Sequence, residues 1–145
     1  MRYFRSLGAA ALATATGIAL VGTAITSAQA APSSLYPPSA LVLTIGKGEK
    51  ASTATVVRAV TLTCSPAAGG THPDAESACA EMTAAGGDFR QVTKSTGDRP
   101  CTREWDPVTV TGDGVWQGKR VSWSARYGNT CEMRARTAEA TVFAF

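Results

Sequence analysis

The sequence predicts an α+β fold, an antiparallel sheet with one main helix packed on it. Three observations carry this reading: short apolar runs that alternate with period two, one segment with apolar residues at helical spacing, and four cysteines that all lie beyond an N-terminal leader.

An N-terminal leader sets the compartment. Arg2 and Arg5 precede an apolar, small-residue run from Leu7 to Ile25 that ends in Ala28-Gln29-Ala30, the pattern of a secretory signal peptide with a small-x-small cleavage site. The run is mostly Ala, Gly and Thr, with few large side chains to hold it in a bilayer as an anchor. The expected division is a signal peptide at 1–30 and one domain at 31–145. Loss of Arg2 and Arg5 lowers the 14 basic residues to 12 against 11 acidic ones, so the formal charge falls from +3 to +1. No basic run is interleaved with aromatic residues. This composition argues against a nucleic-acid binder and, after cleavage, against a membrane-surface protein.

Residues 31–40 are rich in Pro and Ser and read as an irregular lead-in. Leu41-Val42-Leu43-Thr44-Ile45, closed by Gly46-Lys47-Gly48, and Ala59-Val60-Thr61-Leu62-Thr63, ending at Cys64, read as strands. After Gly69-Gly70, Thr71 is a candidate helix cap, Pro73 suits an early helical position, and Asp74 and Glu76 place negative charge in a first turn. Ala75, Ala78, Cys79 and Met82 then form a buried stripe, and Gly86-Gly87 ends the helix. Pro107–Thr111 and Arg120–Tyr127 read as a hairpin around Gly112-Asp113-Gly114. In its second arm Val121, Trp123 and Ala125 alternate with Ser122, Ser124 and Arg126, giving one buried and one wetter face. Ala140–Phe145 alternates as well and is expected to complete the sheet.

An even number of cysteines in a small exported domain reads as a disulfide framework, with three connectivities open for Cys64, Cys79, Cys101 and Cys131. Zinc sites bring ligands in close pairs, whereas the nearest two cysteines here are 15 positions apart. If the pairing is sequential, chain entropy assigns each bridge roughly 3 to 4 kcal/mol.

Few residues suit catalytic chemistry. His72, the one histidine, stands between Thr71 and Pro73 at a helix start and reads as a cap residue rather than a triad base. Glu104 and Asp106 flank Trp105, and on an extended segment they point the same way, but a small domain without an evident cleft is a poor hydrolase. The glycine pairs lack phosphate-loop spacing, and no cofactor motif is present. What remains is Asp98-Arg99-Pro100-Cys101-Thr102-Arg103-Glu104-Trp105-Asp106-Pro107, a stretch bounded by prolines and anchored by a cysteine, which reads as a presentation loop.

The domain resembles the Streptomyces subtilisin inhibitor family along nearly its whole length. The resemblance rests on Ser39–Thr44, Arg58–Cys64, Gly70-Thr71-His72-Pro73, Cys79-Ala80-Glu81, Asp113–Ser122, Cys131-Glu132-Met133 and Val142-Phe143-Ala144-Phe145. It implies a five-stranded antiparallel sheet with one main helix and a short second helix, bridges Cys64–Cys79 and Cys101–Cys131, and a homodimer formed through the sheet. Val42, in a matching block, is then either an interface residue or part of the core.

The resemblance also implies a protein inhibitor of extracellular serine proteases, trypsin-like or subtilisin-like, and not an enzyme. Its reactive bond would be Arg103–Glu104, with Cys101, Thr102 and Trp105 in the inhibitory loop. Trp105 suits either an interface hot spot or the core, and Asn129 either braces the loop or serves an ordinary turn. The family's familiar bait is methionine or lysine, often after proline, and Thr102-Arg103 departs from it. Arginine favours a pocket with a carboxylate at its base, as in trypsin. Two rival readings are an inhibitor-fold binding module that inhibits no protease, and a small hydrolase built on Glu104 and Asp106.

Overall fold

The computed structural model describes residues 37–93, 100–137 and 140–145. The leader expected at 1–30 and most of the polar stretch before Pro100 lie outside the described residues. The elements are β1 (Ser39–Lys47), β2 (Thr55–Ser65), β3 (Gly69–Gly70), α1 (Ala75–Ala84), α2 (Phe89–Val92), β4 (Val108–Trp116), β5 (Lys119–Tyr127), α3 (Thr130–Thr137) and a closing 3₁₀ turn, Thr141–Phe143. The strands form one antiparallel five-stranded sheet in the order β3-β2-β1-β4-β5.

β1 is the central strand, paired on both sides. Leu41, Leu43 and Ile45 point into the core, while Val42 between them is 46% exposed on the opposite face, so the core reading of Val42 is corrected. Along its length β1 pairs Leu43 with both Val60 and Gly112, and Lys47 with both Thr55 and Val108. The helices cover the Leu43 face. α1 contributes Ala78, Cys79 and Met82, all buried, α2 contributes Phe89, and the 3₁₀ turn adds Val142 and Phe143. Phe89 stacks on Trp123 with ring centroids 5.2 Å apart and lies 5.9 Å from Phe143. The backbone amide of Val142 donates to Glu81 Oε2 at 2.8 Å and ties the C-terminal turn to α1.

Several local expectations change. The cap of α1 is Asp74, whose side chain accepts from the Ser77 amide at 3.1 Å; Thr71 instead bonds across to Thr61 through both backbone and hydroxyl. Hydrogen bonding by Ser77 holds the Asp74 carboxyl below its ordinary value. That contribution to stability is present above the ordinary aspartate range and is lost as pH falls through the lowered value. His72 is buried, and its Nδ1 accepts the Asp74 amide at 3.1 Å, a role at the helix start. Gly112-Asp113-Gly114 is no turn: it lies inside β4, and the hairpin turns at Gln117-Gly118, where both residues have positive φ (48° and 77°). Gly112 has no side chain because the Phe89 ring occupies the space a Cβ needs. The Ala140–Phe145 run is not a strand. Thr141–Phe143 forms a 3₁₀ turn, closed by the Ala144 amide on the Thr141 carbonyl, that presses Val142 and Phe143 together into the core, and the fifth strand is the Gly69-Gly70 pair beside Leu62 and Thr63.

The disulfides join Cys64 to Cys79, fixing α1 to the end of β2, and Cys101 to Cys131, with Cα–Cα separations of 5.4 and 5.7 Å. Besides the main helix the structure holds α2 and the eight-residue α3.

Adding a methyl group at Gly112 tests the packing of Phe89. Gly112→Ala is expected to lower stability by about 1–3 kcal/mol, the usual range for overpacking a filled core. A shift of the urea midpoint to lower concentration is the readout, and an unchanged midpoint would show that the ring has room to move.

Candidate functional site

The sheet register places two chain segments side by side. β4 begins and β5 ends at the same edge of the molecule, where Val108 pairs with Tyr127. The segment before Val108, Pro100–Pro107, therefore runs beside the segment after Tyr127, Gly128-Asn129 and the start of α3. The disulfide Cys101–Cys131 joins one to the other, and the Asp106 amide donates to the Gly128 carbonyl at 2.9 Å. From the other side the Gly48 amide donates to the Pro107 carbonyl at 2.8 Å. A stretch with no helix or strand of its own is thus held at its Asp106-Pro107 end by backbone hydrogen bonds to Gly128 and Gly48 and at its Cys101 end by the disulfide.

Asn129 connects these supports to the centre of the loop. Its Nδ2 donates to the Thr102 carbonyl at 2.9 Å and to the Glu104 carbonyl at 3.0 Å, spanning Arg103. Its Oδ1 accepts the Glu132 amide at 2.9 Å, and Glu132 Oε2 in turn accepts the Gly128 amide at 2.7 Å. This is a variant of the helix capping box in which the return bond goes to Gly128, one residue before the cap, so the residue that starts α3 also holds the loop. One amide group, with both its donors and its acceptor engaged, orients two peptide carbonyls.

The side chains of the loop face outward. Thr102, Arg103, Glu104, Trp105 and Asp106 are all exposed, Trp105 to 61%. Arg103 and Glu104 make no side-chain hydrogen bond or ion pair with any described residue. Their neighbours do: Asp106 pairs with Lys47, and the Arg126 guanidinium carbon lies 5.7 Å from the centroid of the Trp105 ring. Trp105 is therefore a surface residue and not part of the core. Tyr127, at the base of the loop, has its hydroxyl pushed above the ordinary tyrosine value by burial and stays protonated at neutral pH.

The arrangement fits presentation better than catalysis. Asp106 is occupied by Lys47, and among the described residues no acid or base pairs with Glu104. His72 is buried at the start of α1, with its Nδ1 already accepting the Asp74 amide. All four cysteines are in disulfides, and among the described residues no group of three or more metal-ligating side chains is present. The loop contains every residue the sequence singled out, Cys101 to Trp105, with Asn129 against it. Lys47, Arg126 and Glu132 were not anticipated. Glu132 had a visible signal, its three-residue spacing from Asn129. Lys47 had none, since 59 positions separate it from Asp106.

Comparison with known proteins agrees with this architecture. A family model described as subtilisin inhibitor-like matches residues 37–129. Kexstatin-1 of Streptomyces platensis is 52% identical over 141 residues, which cover 92% of this chain and 96% of that protein. A subtilisin inhibitor of Streptomyces violaceus is 48% identical over 145 residues, 99% of each chain. A transglutaminase-activating metalloprotease inhibitor of Streptomyces mobaraensis is 53% identical over 116 residues, 80% of this chain and 77% of that one. Among solved structures, Streptomyces caespitosus sermetstatin in complex with Bacillus licheniformis subtilisin matches with a TM-score of 0.71 and 41% identity, over 74% of this chain and 99% of that one.

The double duty of Asn129 separates into two measurable parts. Asn129→Ala removes the cap and both loop bonds and is expected to cost about 1–2 kcal/mol. Asn129→Ser keeps a cap acceptor and removes the amide donors without placing a negative oxygen against the two carbonyls, so chemical denaturation should return most of that loss. Equal destabilisation by both replacements would show that the cap contributes nothing.

Proposed function

The chain belongs to the subtilisin inhibitor-like family, and from that premise we propose that it is an exported inhibitor of serine endopeptidases, subtilisin-type and trypsin-type, with Arg103–Glu104 as its reactive bond. The observation that carries the proposal is the pair of hydrogen bonds from Asn129 to the carbonyls on either side of Arg103, which is exposed and has no side-chain partner among the described residues. A protease binds its substrate through the backbone around the scissile bond and one deep specificity pocket. Here that backbone is fixed before binding and the pocket-filling side chain is free to enter.

The mechanism follows substrate chemistry that is then reversed. The protease serine oxygen attacks the Arg103 carbonyl carbon, the Arg103–Glu104 C–N bond breaks, and the departing Glu104 amine takes a proton from the protease histidine. In an ordinary substrate the amine diffuses away. In this chain it is tethered, so it attacks the ester, the serine oxygen leaves and recovers its proton, and the peptide bond re-forms. Because the loop is ordered beforehand by Cys101–Cys131 and Asn129, little conformational entropy is lost on association.

Arg103 decides the choice of target. Its guanidinium gains a charge-assisted contact in a pocket with a carboxylate at its base, which makes trypsin-type enzymes the preferred partners. Subtilisin-type enzymes, with broader and more apolar pockets, are held through the backbone of the loop. The leader at 1–30 would direct the domain out of the cell. Among the described residues no helix is long and apolar enough to cross a membrane. We assign the dimer contact to the uncovered face of the sheet, where Val42 is 46% exposed.

Titration of the purified, oxidised protein against trypsin and subtilisin tests the assignment. Stoichiometric inhibition of trypsin should weaken by roughly 30-fold or more in Arg103→Ala and Arg103→Met, the scale of losing an interface hot spot. Arg103→Met should retain inhibition of subtilisin. If wild type inhibits neither enzyme, the inhibitor-fold module without protease inhibition becomes the better reading. If Arg103→Ala inhibits trypsin as well as wild type does, the reactive bond lies elsewhere.

A further inference from the structure

The two sides of the Arg103–Glu104 bond are held by different means. On the carboxyl side, Cys101 is two residues from the bond and covalently joined to Cys131. A cut therefore leaves Arg103 on a chain end that travels at most two residues from its anchor. On the amino side no cross-link exists. From the new terminus at Glu104 to Val108, the first residue of β4, the chain is held by the Glu104 carbonyl on Asn129, the Asp106 amide on Gly128, the Pro107 carbonyl on Gly48, and the Lys47–Asp106 ion pair. The ion pair stands out because it is a side-chain contact to a different strand. Lys47 is the last residue of β1 and pairs with both Thr55 and Val108, so its backbone is fixed between two strands at the end of the central one.

We propose that Lys47 is a positioning residue for religation: through Asp106 it keeps the Glu104 amine within reach of the acyl-enzyme. The inference rests on reading Arg103–Glu104 as the reactive bond. While that bond is intact, chain continuity from Cys101 restrains Asp106 as well, and the ion pair is largely redundant. Once it is broken, Asp106 is two residues from a free end, and each remaining contact contributes to the local concentration of the amine. Lys47 should therefore affect the return of the bond more than the first association with a protease. Both side chains are about half exposed, at 44% and 53%, so salt should screen the pair.

The test starts from protein cut at Arg103–Glu104, whose two fragments stay joined by Cys101–Cys131, mixed with one equivalent of trypsin. Samples are quenched in acid, reduced, and the intact bond is quantified by mass spectrometry. Lys47→Met is expected to slow recovery of the bond about two- to fivefold, the scale of an exposed ion pair, while association of the intact variant with trypsin slows less. The exchange Lys47→Asp with Asp106→Lys should restore the rate; the lysine it places before Pro107 is not a ready trypsin site. High salt should slow wild type towards Lys47→Met and narrow the difference between them. Equal recovery by wild type and Lys47→Met, or a charge exchange that restores nothing, overturns the role of Lys47 and leaves the reactive bond standing. A wild-type protein that never recovers the bond overturns both.

Discussion

Two hydrogen bonds from one side-chain amide, Asn129 to the carbonyls of Thr102 and Glu104, are the contact on which the proposed activity depends. Asn129 is in place because it caps α3, and α3 is in place because it follows directly from β5. β5 ends beside the start of β4 because the two pair from Trp116 opposite Lys119 to Val108 opposite Tyr127. The Gln117-Gly118 turn sets that register, since a two-residue turn with positive φ at both positions leaves the strands no slack. A displacement of one residue at the turn would move Gly128-Asn129 away from Thr102 and Glu104 and reverse the faces of Val121, Trp123 and Ala125.

An exposed loop without regular structure ordinarily sits at the low-stability end of a protein. Here the supports converge from separate parts of the chain: Lys47 from β1 and Gly48 just after it, Gly128 just after β5, Asn129 at the cap of α3 and Cys131 within it. Each lies in or next to an element that contributes to the core around Leu43, Val110 and Phe89. The loop borrows its order from the core while leaving Arg103 and Trp105 in solvent. This is how a small domain can combine a rigid backbone with free side chains at one site, the combination that separates an inhibitor from a substrate.

Much of this was legible in the sequence, and the failures have physical causes. The alternation of Leu41, Leu43 and Ile45 and the stripe Ala78, Cys79 and Met82 report burial directly, so β1 and α1 were readable from residue pattern alone. Gly112-Asp113-Gly114 has turn composition, but Gly112 answers to the Phe89 ring, a contact across 23 positions that local pattern cannot carry. Val142-Phe143 looked like part of a strand because both residues are apolar neighbours in an alternating run. The loop itself was visible through its prolines, its cysteine and its family resemblance. Its braces were only half visible: Asn129 was ambiguous with a turn, and Lys47 is an ordinary surface lysine until the sheet brings it to Asp106.

The central claim is that the loop holds its shape before any protease arrives. Backbone order parameters from ¹⁵N relaxation of the free, oxidised protein measure this most directly. The account predicts values at Thr102, Arg103, Glu104 and Trp105 of about 0.8 or higher, close to those of β1 and β4. Values below about 0.6 at these residues, with β1 and β4 remaining rigid, would mean that the loop is ordered only by its target, and would contradict it.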